Sequence, residues 1–362
     1  MRTPRCLLAT IVWIACAGHS TVLAQDRLPI SKQGALTPTE QETVRDYVAL
    51  WAGNLQSDRD VVVAGAKKKL TAPLRRNAKP PFLAAYRIAL IPHLDEAIKS
   101  PRDIVRLNVM IIAESVKDAN NPDLLVKGLA DRSPAVRYWA AAAMTSVIAA
   151  LPPAETPKQK QEQKTLQTQL LAQLVKAVQV EPYEQVVQQC MVALNQLNIP
   201  EAAIEVLEAL DGRVAIHLEE PSLPLAAALA TLRSQMIQVI RQSSPPRDHM
   251  RLLMRVSFRY FDLASGMFSN GRVSPNNLKD YREMLRRADE NLRELAELQN
   301  IRVEDFPRPP LGKSLDDLAK SQEWQAINLY SAEWRNLLVK RLKFRAEALH
   351  MGQTPIKRPD RD

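Results

Sequence analysis

Two short stretches carry the residue types from which a metal site is made. His93-Leu94-Asp95-Glu96 and His217-Leu218-Glu219-Glu220 each set an imidazole and a carboxylate three positions apart, on one face of a helix. Two such pairs brought together could ligate an ion. Their order, however, is the reverse of the Glu-x-x-His pattern of carboxylate-bridged metal proteins. The other reading is ordinary polar residues at helix ends, and we adopt it, so no metal and no cofactor is expected. Catalytic signatures are missing: there is no Gly-rich phosphate loop, Gly-x-Ser-x-Gly elbow, Cys-x-x-Cys or His-Glu-x-x-His. Cys190, between Val187 and Leu194 on an apolar face, reads as a buried structural thiol rather than a nucleophile.

Two basic features could bind an anion. Lys67, Lys68, Lys69, Arg75, Arg76 and Lys79 fall within thirteen residues that contain no acid. Arg247, Arg251, Arg255 and Arg259 recur every fourth residue, a drifting stripe along one helix. Both suit an acidic protein, polysaccharide or lipid surface. Two blander readings compete: a solvated face, or, for the stripe, pairing with Glu283, Asp289, Glu290, Glu294 and Glu297 on the next helix. Nucleic acid is not expected, because the basic run has no interleaved stacking aromatics. Phe258, Tyr260, Phe261, Phe268, Trp324, Tyr330 and Trp334 could line a ligand pocket, but read as core.

The elements that must position these residues are helical. Only 10 of 362 residues are glycine, which leaves little material for hairpin turns. The chain opens with Arg2 and Arg5, an apolar run from Cys6 to Ala17, and small residues at Val22 and Ala24, the three parts of an export signal cut before Gln25. A lipoprotein cut before Cys16 is the rival, with Trp13 against it. Cleavage lowers the formal charge of +9 by two and leaves Cys190 as the one cysteine of three, so packing rather than a disulfide must stabilise the exported chain. No later stretch is long and apolar enough to span a bilayer. Residues 25–36 read as a flexible lead and residues 350–362 as a disordered tail.

Helix starts recur. Thr37-Pro38-Thr39-Glu40 offers a capping box, and Ser100-Pro101, Asn121-Pro122 and Ser133-Pro134 repeat the signal. Some eight helices are expected over residues 37–210. Ile104-Val105-Arg106-Leu107 through Ala113 aligns with Ala135-Val136-Arg137-Tyr138 through Met144 at an offset of 31. A third copy begins where Val187 is matched to Val136, beyond a polar insert at 152–164 that reads as a loop or a helix extension. Asp60-Val61-Val62-Val63 is a fainter copy. Such periods, each holding two helices, indicate a helical solenoid.

The stretch Leu129-Ala130-Asp131-Arg132-Ser133-Pro134-Ala135-Val136-Arg137, followed by alanines 140–143, resembles the HEAT-repeat family. In that family an Asp in the turn precedes by six an Arg in the second helix, as Asp131 precedes Arg137. The resemblance implies a hydrogen-bonded ladder of such residues between neighbouring units, with Asp131, Arg137 and Arg106 as its members here. It also implies that the alanines mark a close helix crossing. The unit at 100–113 has Ser100 where Asp belongs, and that at 182–194 has Gln188 in place of Arg, so the ladder should be continuous at one junction at most.

After residue 220 the pattern changes to four longer helices, 224–242, 246–270, 274–300 and 314–344, which suggest a bundle. The expected fold is all-α: a right-handed α-solenoid of HEAT-like pairs over 37–215, then a helical bundle over 220–349. The expected function is an exported, non-enzymatic scaffold in the periplasm or outside the cell. Its partner is a protein, with an anionic envelope component as a second candidate. The alternative is an enzyme or a metal or small-molecule binder housed in the bundle. Oligomeric state is not legible.

Overall fold

The computed structural model describes residues 28–75, 78–219, 228 and 234–349. The export signal with Cys6 and Cys16, the 350–362 tail, Arg76 and Glu220 lie outside the described residues. Among those described, every regular element is helical, and no helix is long and apolar enough to cross a membrane. The chain divides into two compact units, residues 1–153 and 154–362.

The first unit holds α1 (Pro38–Leu55), α2 (Asp60–Thr71), α3 (Pro80–Ala97), α4 (Asp103–Val116), α5 (Pro122–Leu129) and α6 (Pro134–Ala149). α1 starts at the capping box: Glu40 N–H donates to Thr37 Oγ1 at 3.3 Å, and Thr37 N–H to Glu40 Oε2 at 2.7 Å. Helices α5 and α6 begin at the Asn-Pro and Ser-Pro signals. At Ser100-Pro101 the helix starts two residues late, at Asp103, because Ser100 Oγ takes the Arg102 N–H in a local turn (3.3 Å). Packing runs α1 on α2 and α3, α2 on α4, α4 on α6, and α5 on α6. Each helix therefore leans chiefly on the next and the next but one, the contact pattern of a stack of helix pairs.

The alanine run marks the tightest crossing. Ala140, Ala141 and Ala143 are fully buried, and a Cβ placed on Gly128 would lie 2.2 Å from Met110 Sδ and 3.0 Å from Ala140 Cβ. The α5 backbone thus lies directly against α4 and α6, and only small residues permit that approach. Val136 fills the space beside the alanines, whereas Trp139 is only half-buried.

The second unit holds α7 (Pro157–Val180), α8 (Glu184–Leu197), α9 (Pro200–Glu219), α10 (Ser234–Arg241), α11 (Pro246–Ser269), α12 (Leu278–Leu298), α13 (Leu315–Lys320) and α14 (Trp324–Lys340). The polar insert is a helix extension: Thr156 and Gln159 form a second capping box that starts α7. Helices α7, α8 and α9 pack together, and α9 then packs on α11, which also receives α10, α12 and α14. Because α9 is tied to α11, helices α7–α9 belong to one unit with the bundle, although their sequence groups them with the repeats. The expected helix over 314–344 is broken at Ser321-Gln322: Gln322 is left-handed (φ 56°), and Glu323 N–H donates back to the Leu318 carbonyl at 2.9 Å, a helix-ending turn.

Candidate functional site

The two aligned repeats fold in the same register. Val105, Val109, Met110, Ile112, Ala113 and Val116 are buried in α4, and Val136, Ala140, Ala141, Ala143, Met144 and Val147 are their buried equivalents in α6. The positions between them form an outward stripe on each helix. Leu107 and Ile111 are half-buried on α4; Tyr138, 37% exposed, and half-buried Ala142 occupy the same places on α6. Ser146 Oγ donates to Glu114 Oε1 at 2.9 Å, so the two stripes share one face. The result is a continuous surface of apolar and small side chains across two stacked helices.

The third copy is shifted by one residue from the sequence match. α8, like α4, has 14 residues, a first-turn acid and a left-handed C-cap, Asn198 in one and Lys117 in the other. That correspondence sets Val186, not Val187, opposite Val105. The buried set Val186, Cys190, Met191, Ala193, Leu194 and Leu197 then matches α4 position by position. Two adjacent valines made the sequence match ambiguous; burial resolves it.

At the α4–α6 junction Arg106 donates from Nε to Asp131 Oδ2 at 2.6 Å and from Nη2 to Asp131 Oδ1 at 3.1 Å. Both side chains are about nine-tenths buried, and the Asp131 hydrogen bond holds the Arg106 pKa above its ordinary value. Asp131 also accepts from Ser133 N–H (2.8 Å). Arg137 is placed differently. It donates to the Asp131 and Arg132 carbonyls at 2.8 and 3.0 Å and so braces its own turn. The acid and arginine that join these two units are therefore 25 residues apart, not six.

Further pairs do the same work without the motif. Arg102 reaches Asp60 on α2. In the second unit Arg213 pairs with Glu184, and Asp211 accepts from Arg259 Nη1 and forms an ion pair with Arg255 Nη2, each at 2.9 Å. This corrects the reading of the arginine stripe as an anion-binding face. Arg259 is 4% exposed, Arg255 is engaged with α9, and Arg251 donates to the Leu342 carbonyl at 2.7 Å while lying 4.3 Å over the Phe344 ring. Arg247 alone of the four is fully solvent-facing. The suggested partners on α12 serve elsewhere: Glu283 and Glu290 pair with Arg286 and Arg287 of their own helix. In the basic run Lys68 and Arg75 are exposed, Lys67 is half-buried, and Lys69 lies 5.6 Å over the Trp51 ring.

The histidines are held in polar arrangements of ordinary kind. His93 is exposed, Asp95 accepts from Asn121 and Lys127, and Glu96 from Lys99. His217 is buried, with Nδ1 2.7 Å from Tyr260 Oη and Nε2 3.5 Å from Glu184 Oε1. Burial works against the Glu184 charge, but the facing His217 and Arg213 hold its carboxyl below the ordinary value. Burial pushes the Tyr260 hydroxyl far upward. No group of three or more potential metal ligands occurs among the described residues.

The aromatic residues are core, as expected. Phe258, Tyr260, Phe261, Tyr330 and Trp334 have no exposure and Phe268 has 3%; half-buried Trp324 stacks on Phe268 at 4.5 Å. Sequence reasoning named the acid they surround, Asp289, as a partner of the arginine stripe and missed its place among the aromatics. Asp289 Oδ1 accepts from Tyr330 Oη at 2.5 Å and Trp334 Nε1 at 2.9 Å, and Oδ2 accepts from Arg293 Nε at 2.9 Å. The signal available was the Asp289/Arg293 spacing of four on one helix.

No family model and no curated protein matches the sequence. Solved helical structures are similar at low identity. Kap121p shares 13% identity, with 90% of this chain and 36% of that chain covered at a TM-score of 0.41. Kap95p, whose binding induces the switch loops of RanGDP to adopt the GTP-bound conformation, shares 11%, covering 96% and 46% at 0.46. An engineered protein shares 12%, covering 75% and 97% at 0.37. The chain spans between a third and a half of the length of Kap121p and Kap95p.

Proposed function

We propose that this chain is an exported, non-enzymatic scaffold of HEAT-like repeats that binds a protein partner in the cell envelope along the α4–α6 face. The observation that carries this reading is the repeat-equivalent stripe of Leu107, Ile111, Tyr138 and Ala142, kept partly open while the positions flanking Leu107, Ile111 and Ala142 are buried. Stacked helix pairs present extended surfaces of this sort, and a solvent-facing tyrosine set among small apolar side chains suits the centre of a protein interface. Exposed Lys68 and Arg75 supply a second contact for an anionic envelope component. Residues 1–24 support export.

The test has two arms. Intact mass of the protein from cell fractions should give a chain beginning at Gln25 outside the cytoplasm; a chain retaining Met1 in the cytoplasm would overturn the export claim. A photo-crosslinking residue at Tyr138 should join the protein to one discrete partner in cells, while one at exposed Glu304 should not. No cross-link from positions 107, 111 or 138 would overturn the interface.

A further inference from the structure

A cleft of about 270 Å³ opens between α7, α8 and α9. Its wall is apolar, formed by Val175, Val178 and Leu194, and its α9 edge carries Glu205 and Glu208, one turn apart on one helix face. We propose that this cleft is a socket for a lysine or arginine side chain flanked by an apolar residue on the partner protein. The inference rests on the scaffold reading above and names the chemistry of one contact within it.

Three observations converge. The first is an unmatched charge. The other acids that reach arginine across this helix, Glu184 and Asp211, are paired, but among the described residues Glu205 and Glu208 have no ion pair. Glu205 is half-buried, and burial together with neighbouring Glu208 raises its carboxyl pKa. A carboxylate so placed gains from an incoming cation. Arg213, at the cleft floor, is already engaged with Glu184 and the Val178 carbonyl.

The second is Gly212. It sits in the interior of α9 and lines the cleft. A glycine there costs about 1 kcal/mol relative to alanine, at a position that borders the open space. The third is size and lining. The cleft falls below the ~300–1,000 Å³ typical of small-molecule sites, which suits one or two side chains. Exposed Val180 (62%) follows Val178 of the cleft wall by two residues. An apolar wall beside an acidic edge matches a protein surface better than a free amine.

The test uses the purified full chain and a dye-labelled six-residue peptide of alternating Leu and Lys, read by fluorescence anisotropy. Wild type should bind it at least tenfold more tightly than the same peptide with acetylated lysines. The Glu205→Gln/Glu208→Gln variant should lose at least tenfold in affinity with an unchanged melting temperature. Gly212→Met, which adds a long side chain at the border of the cleft, should lose as much. Equal affinity for the acetylated peptide, undiminished binding by the double variant, or equally strong competition by free spermidine would each overturn the socket. Cross-linking from Tyr138 in the same variants separates the two readings: cross-links that persist without peptide binding overturn the socket alone, and loss of both in wild type overturns the scaffold as well.

Discussion

The first unit joins its repeats through an arginine and an acid of the aligned repeats; the second ties α9 to α11 with residues that lie outside the repeat match. Arg106 of α4 meets Asp131 of the following turn at 2.6 Å. Asp211 of α9 takes both Arg255 and Arg259 of α11 at 2.9 Å, and Glu184 takes Arg213. The physical requirement is common to both. Stacked helices that bury apolar faces bring backbone turns and long side chains into a dry seam, where a guanidinium needs a carboxylate and a carboxylate needs donors. What differs is how the sequence meets it. In the first unit both partners of the bidentate pair belong to aligned repeats; in the second the α9–α11 seam is closed outside any repeat, although the 29-residue spacing of Glu184 and Arg213 matches that of Asp103 and Arg132.

If that comparison holds, the largest loss should come from the second unit. Asp211→Ala strands two arginines, one of them 4% exposed, and should cost about 4 kcal/mol, within the range for breaking a buried pair, as read by denaturant unfolding. Arg106→Ala should follow at about 3 kcal/mol, because Asp131 keeps its Ser133 hydrogen bond but loses its buried charge partner. A cost near zero for Arg106→Ala would break the claim that this pair joins the repeats. Arg137→Ala removes its bonds to the Asp131 and Arg132 carbonyls of its own turn, a loss of about 1 kcal/mol each. An Arg137 effect larger than that of Arg106 would restore the simple six-residue motif.

The smallest effect should be one of pH, and it sharpens the contrast. The Glu184 carboxyl is held below its ordinary value near 4.5. Its contribution is therefore complete above that value and is lost as pH falls through the lower folded value. Unfolding free energy of wild type should decline below about pH 4.5, and Glu184→Gln should flatten part of that decline. A wild-type profile that the substitution leaves unaltered would remove Glu184 from the account.

How much of this was legible follows from the same contrast. The offset of 31 between Val105 and Val136 carries the helix register, and the HEAT-like resemblance the close-packed alanines; the outward stripe was not read, although a helix that repeats its neighbour must bury the same face. The Arg247–Arg259 spacing was equally visible, yet its meaning was not. A stripe of arginines every four residues is the same in sequence whether it faces water, α12 or α9, and only the packing of α9 on α11 decides. The third copy slipped by one because Val186 and Val187 are chemically interchangeable. The split of the last long helix turned on Gln322, whose left-handed conformation no residue type announces. The Glu205–Glu208 cleft was missed because a pair of glutamates on a helix is common, and what sets this pair apart is the absence of an arginine that only the fold reveals.

The central claim is that α4 and α6 are equivalent helices that turn equivalent stripes outward. Single cysteines placed along residues 104–113 and 135–144 test it directly through the rate of thiol labelling in the folded protein; Cys190, fully buried, stays silent. The account predicts faster labelling at 107, 111, 138 and 142 than at 109, 110, 140 and 141, and profiles of the same phase once shifted by 31. Profiles of different phase, or protection at 138 together with labelling at 140, would contradict it.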